Sequence, residues 1–199
     1  KWYSTPEQQN EGWGADHYLV GKTVGAGGVR LWDGEQIVPL HPVSKRSGRV
    51  SKEDDSSYLE ILSEGVPYKG DKVDVLIRMT VTSSVREATV EVTALGDDEV
   101  QFVTGLNHRE DETSVSKENY MLSWAPTSGK VAVGKIDVGA AILFNPEDFE
   151  GREDSDTQEV LISKPCKQLD YRITSANSEE AAVNTLERFR TLVQGTESF

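Results

Sequence analysis

Strand-forming runs follow one another almost without interruption from Tyr18 to Tyr171, and this constrains the fold more than any other feature. "DHYLVG", "GVRLWDG", "QIVPL", "YLEILSEG" and "DVLIRMTVTSS" are rich in β-branched and aromatic residues and are punctuated by Gly, Pro, Ser and Asp. "REATVEVTALG", "VQFVTGLN", "YMLSWAP", "KVAVGKI", "VGAAILFNP" and "EVLISKP" continue the series. In "ATVEVTAL", Val90, Val92 and Ala94 alternate with Thr89, Glu91 and Thr93, which buries one face of a strand and wets the other. About ten such runs with almost no helix between them predict an all-β fold, a large antiparallel β-sandwich. One C-terminal α-helix is expected. Asn177 or Ser178 caps "EEAAVNTLERFRTLVQG", Ala182, Leu186, Phe189 and Val193 form its apolar stripe, and Gly195 ends it.

No internal repeat or linker divides the 199 residues, so a single domain over 1–199 is expected. No apolar run approaches the roughly 20 residues that span a bilayer. A net charge of −13 repels nucleic acid and anionic membranes, so neither is expected as a partner. Two segments depart from the average. "HPVSKRSGR" (41–49) gathers Lys45, Arg46 and Arg49 in a basic loop, suited to a small anionic ligand or simply solvated; "EDFEGREDSD" (147–156) reads as a solvated acidic loop. The lone Cys166 excludes an intradomain disulfide and fits no zinc spacing, and no metal or cofactor is expected. The chain begins at Lys1 with no signal-peptide pattern, as a mature product, a processed piece or a trimmed chain would.

The run "EGWGADHYLVGKTVGAGGVRLWDG" (11–34) imitates two nucleotide motifs and fulfils neither. A Walker A loop needs glycine five residues before its Gly-Lys pair, where this chain has Asp16. "GAGGVR" has Arg30 at the third glycine position of a dinucleotide fingerprint. Both motifs also need a helix next, and "VRLWDGEQIV" is instead a strand pair closed by an Asp-Gly turn. Glycines between Trp13, Tyr18 and Trp32 then serve either turns and bulges or the floor of a cleft beside aromatic faces, which suits sugars. On strand alternation Asp16 and Tyr18 point together and His17 points away.

Gly14, Asp16, Tyr18, Val20, Gly21, Gly25, Gly27, Gly28 and Trp32 also carry a resemblance. With "FVTGLNH", "MLSWAP", "VGAAILFNP" and "LDYRITSA" they resemble the signature of a bacterial family known as domain of unknown function 4861. The resemblance covers nearly the whole chain and corresponds to the C-terminal portion of a family member, which implies a preceding N-terminal segment as a further partner. It departs from the family pattern at "STPEQQNEGW", which has no histidine, and at "EGVPYKGDKV", where Tyr68 and Lys69 replace an arginine. The resemblance implies a mutarotase-like supersandwich in a secreted or periplasmic protein of polysaccharide-degrading bacteria. One branch of the family is similar to oligosaccharide dehydratases of ulvan breakdown.

Elimination from a uronic acid needs a cation on the carboxylate, a base for the α-proton and an acid for the leaving oxygen. The catalytic candidates are Tyr18, His108 and His17. Trp13, Asp16, Arg30, Trp32, Asn107, Arg109 and Arg46 are candidates for binding an anionic oligosaccharide or polysaccharide. Two readings compete: a carbohydrate-active lyase or dehydratase, and a non-catalytic carbohydrate-binding β-sandwich. A third makes this chain one half of a longer fold.

Overall fold

Side-chain alternation sorts the strands into two antiparallel sheets whose apolar faces meet. The computed structural model describes residues 4–14, 17–127 and 136–196. Its elements are α1 (Pro6–Asn10), β1 (Arg30–Trp32), β2 (Ile37–Val38), β3 (Lys45–Lys52), β4 (Ser56–Tyr68), β5 (Asp71–Thr82), β6 (Ala88–Leu95) and β7 (Gln101–Asn107). They continue with β8 (Thr113–Ser116), β9 (Tyr120–Pro126), β10 (Asp137–Leu143), β11 (Phe149–Asp154), β12 (Gln158–Ser163), β13 (Gln168–Asn177) and α2 (Leu186–Gly195). The smaller sheet has the order β11-β12-β7-β1-β2 and the larger β3-β4-β5-β6-β13-β10-β9-β8. The large antiparallel sandwich with one C-terminal helix is the architecture observed.

The main core lies between the sheets. Leu31, Phe102, Leu106 and Leu161 of the smaller sheet meet Val75, Val90, Val92, Tyr171, Ala140, Ile142 and Met121 of the larger, all buried. Each fully buried aliphatic or aromatic side chain there contributes roughly 1.5–3 kcal/mol. The outer face of the larger sheet is covered by α2, where Phe189 and Val193 pack with Trp124, Leu122 and Leu143. The outer face of the smaller sheet buries Val103, Val160 and Ile162 under Val24, with Trp32 and Ile37 against them.

Several local expectations change. The predicted helix over 179–195 begins only at Leu186, capped by the Thr185 side chain, which accepts from Arg188 N. Asn177 Oδ1 accepts from Glu179 N, and Glu180 Oε1 accepts from Asn177 N while its Oε2 pairs with Arg86, so the cap pairing forms but closes a turn rather than a helix. Ala182 is exposed, and Val183 is the buried residue of that turn. The basic segment 41–49 is largely strand, because β3 is an edge of the larger sheet. An edge strand needs no apolar alternation and tolerates charge. Lys45 pairs with Glu64 at 3.3 Å, Arg46 donates to Leu40 O, and Arg49 is held by Glu60. The acidic segment likewise becomes β11, the edge of the smaller sheet. "DHYLVG" forms no ladder over residues 17–20. "KVAVGKI" falls almost entirely outside the described residues, as does Asp16.

The glycine run folds as a strap along β7. Gly27 N donates to Gly105 O and Asn107 N to Gly25 O, with an isolated bridge between Ala26 and Leu106. Gly27 takes φ +76°, and a Cβ there would fall on Ile173 Cγ2 of β13, so only glycine fits. Buried Tyr171 fastens the strap from below, its hydroxyl donating to Gly27 O at 2.6 Å. The Asp-Gly turn forms as expected. Asp33 Oδ1 accepts from Glu35 N and Gln36 N, and β1 and β2 pair across it.

Candidate functional site

The strap brings Tyr18, Val20 and Ala26 to one wall of a groove of about 480 Å3. Its floor is the inner face of the larger sheet. Ala88 of β6, Ile173 and Ser175 of β13, and Val138 and Ala140 of β10 contribute small or apolar surface. The wall is therefore built of Tyr18, Val20 and Ala26 rather than of the run's glycines, and the sheet supplies the floor expected of them. Arg86 stands at the rim, donating to Ser175 O at 2.7 Å and paired with Glu180.

Behind Tyr18 lies the half-buried Arg109. The guanidinium carbon of Arg109 sits 4.6 Å from the centre of the Tyr18 ring. Arg109 Nη2 donates to Ser123 Oγ and to Val138 O, both at 2.9 Å. Its Nε and Nη1 are buried with no hydrogen-bond partner. A buried cation with unspent donors is costly, since each unmade hydrogen bond forfeits its solvation. Burial lowers the Arg109 pKa, against the raising influence of neighbouring Tyr18 and Glu112. Burial also pushes the Tyr18 phenol up, against Arg109 and the neighbouring Ser123 hydroxyl. Tyr18 is thus a protonated phenol at neutral pH, equipped to donate a proton.

The histidines differ in what they offer. His108 Nδ1 lies 2.5 Å from Glu112 and Nε2 lies 2.8 Å from Asp154. Burial disfavours its charged form, but hydrogen bonds to Asp154 and Glu112 outweigh that and raise its pKa. With a carboxylate on each nitrogen, both ring nitrogens donate, and His108 is an imidazolium stitching the β7–β8 connection to β11. His17 Nδ1 lies 3.3 Å from Thr127 Oγ1, whose single proton goes to Ile136 O at 2.7 Å. Nδ1 is therefore placed to donate to Thr127 Oγ1.

The other candidates are dispersed. Asn107 is buried, and its side chain holds Leu19 O and His108 O, so it positions the segment that carries Tyr18. Arg30 donates to Val29 O and Thr23 O and fastens the strap from the outer side. Arg46 is on edge strand β3, its guanidinium committed to Leu40 O. Trp13 is 71% exposed, Trp124 is buried beneath α2, and Trp32 lines a different cleft on the outer face of the smaller sheet. The indole platform expected beside Tyr18 is therefore not formed by these three. Alternation fails to place them because β1 turns Trp32 outward when Leu31 turns in. Arg86, Ser123 and Glu112 were not anticipated as site residues. The signal for Ser123 is a small polar residue at an inward position of "YMLSWAP"; Arg86 and Glu112 carry none beyond following a strand.

Among the described residues no group of three or more His, Cys, Asp or Glu side chains is arranged to hold a metal ion. Comparison with curated proteins returns no match. The family model Domain of unknown function (DUF4861) matches residues 1–198, so the chain belongs to that family.

Proposed function

We propose that the protein is a carbon–oxygen lyase, of the dehydratase kind, acting on uronate-containing oligosaccharides in the groove beside Tyr18. The observation that carries this reading is Arg109, a buried guanidinium with unspent donors stacked on a protonated phenol at the groove wall. A uronate carboxylate satisfies those donors once the Tyr18 side chain shifts off the guanidinium, and its neutralisation acidifies the adjoining carbon-bound proton. A base takes that proton, and His17 is the candidate only if its segment swings toward the substrate, since it does not line the groove; the electron pair forms the new carbon–carbon double bond, and the β-oxygen leaves with a proton from Tyr18. Such substrates place the protein outside the cytoplasm, secreted or periplasmic.

The test is incubation with unsaturated uronate oligosaccharides, following the conjugated product's absorbance and its mass. Wild type should form dehydrated product. Tyr18→Phe should bind substrate and lose at least roughly a hundredfold in turnover, the usual scale of a missing proton donor. Intact substrate across a broad panel removes the enzymatic reading. A second reading, a non-catalytic carbohydrate-binding sandwich, is favoured by one observation: His108 is held by two carboxylates and His17 does not line the groove. Saturable binding without turnover supports that reading.

A further inference from the structure

The outer face of the smaller sheet carries a second cleft, of about 260 Å3, separate from the groove beside Tyr18. Trp32 and Ile37 of the β1–β2 hairpin and Val160 of β12 give it an apolar base. Two tight turns stand over that base. One is the Asp33–Gln36 turn, fixed by Asp33 Oδ1 accepting from Glu35 N at 2.9 Å and Gln36 N at 2.8 Å. The other joins β11 to β12, where Ser155 Oγ donates to Gln158 O at 3.0 Å and accepts from Gln158 N at 3.2 Å. Both walls are held by their own hydrogen bonds before any ligand arrives, which lowers the ordering cost of binding.

The polar groups at this cleft define what it accepts. Glu35 and Glu153 are exposed carboxylates from opposite walls and act only as acceptors. Gln158 Oε1 already accepts from Val24 N at 2.8 Å, so its amide nitrogen is the end left to donate. Among the described residues no Lys or Arg lines the cleft. A ligand here must cover an indole with an apolar face while its edges both donate and accept hydrogen bonds. Carboxylates on both walls repel an anion. An organic cation would leave the amide donor unused. We propose that this cleft is a saccharide-binding site for a neutral, polyhydroxylated sugar ring, with Trp32 as its stacking surface and Glu35, Glu153 and Gln158 as hydroxyl partners. The inference does not rest on the lyase reading, because the groove's floor is the inner face of the larger sheet whereas this cleft lies on the outer face of the smaller, and their charge preferences are opposite.

The test is a titration of 15N-labelled protein followed at the Trp32 indole N–H, assigned by its loss in Trp32→Phe. The probes are cellobiose and methyl galactoside, with glucuronate and tetramethylammonium as charged comparisons. A neutral sugar should shift the Trp32 signal saturably, with a dissociation constant on the order of 1–10 mM. Glu35→Ala and Glu153→Ala, both at exposed positions, should each weaken it roughly tenfold. Arg109→Met should leave the titration unchanged, which separates this site from the groove. No saturable response to either neutral sugar, or a larger response to tetramethylammonium or glucuronate, overturns the proposal.

Discussion

Replacing Gly27 by alanine tests how the strap is held against the sheet. At φ +76° an L-residue is strained by about 1–2 kcal/mol. The added Cβ would also meet Ile173 Cγ2 head-on and lie 3.5 Å from Tyr171 Cε2. Ile173 cannot step aside cheaply, since it is β-branched and paired within β13 to both β6 and β10. Overpacking of this kind costs about 1–3 kcal/mol. The sum centres near 3.5 kcal/mol, or a fall in Tm of roughly 7–14 °C for a chain of this size. Gly21→Ala is the control: φ is +60°, with nothing within 4 Å of the new Cβ, so it bears backbone strain alone. That amounts to about 1–2 kcal/mol, or roughly 2–8 °C. Thermal unfolding followed by circular dichroism on the three proteins gives both differences. If Gly27→Ala melts with or above Gly21→Ala, the strap does not press on Ile173 and the groove wall is misplaced.

Other consequences follow from the same contacts. Because the folded-state pKa of His108 is raised above its ordinary 6.5, its stabilising contribution is complete below that value. It is lost as pH climbs through the folded pKa, so the Tm of wild type should fall relative to His108→Gln across that window; parallel curves refute the double carboxylate clamp. Phe189→Ala, which empties the contact of α2 with Trp124, should cost about 3–5 kcal/mol in denaturant unfolding. A loss below about 1 kcal/mol would mean that α2 is not seated on the sheet. Thr185→Ala should cost about 1 kcal/mol, whereas Asn177→Ala should leave the helical signal unchanged, because Thr185 is the cap; the reverse order would restore the longer helix.

Much of the architecture was legible because central strands must alternate or be apolar throughout. "ATVEVTAL" and "VGAAILFNP" state their faces directly, and "WDGEQ" states its turn. Edge strands carry no such obligation, so "KRSGRVSK" and "FEGRED" look like loops although the ladder includes them. The start of α2 was obscured by long-range competition. "NSEEAAVN" has helical composition and Asn177 and Glu180 do pair as a cap, but Glu180 is also held by Arg86, 94 residues away, and the segment closes a turn instead of winding on. The site divides in the same way. Tyr18, Arg109 and His17 were identifiable as chemistry-bearing residues beside strand ends. That Arg109 stacks on Tyr18, and that His108 is tied to Asp154, depends on contacts spanning 91 and 46 residues that no local pattern encodes. Trp32 was expected beside Tyr18 but lines a different cleft, since one step of alternation decides which side of a sheet an indole occupies.

The central claim is that Arg109 is kept buried and underbonded in order to hold a carboxylate. Its direct test is to measure glucuronate-terminated oligosaccharide binding and unfolding free energy on the same samples of wild type and Arg109→Met. A buried guanidinium with unspent donors contributes little to folding, so the methionine variant should be as stable as wild type or more stable, by up to about 1–4 kcal/mol. It should also bind the oligosaccharide at least tenfold more weakly, the loss of about 1.4 kcal/mol or more of charged hydrogen bonding. Unchanged affinity, or a variant that unfolds because the guanidinium was structural, contradicts the account.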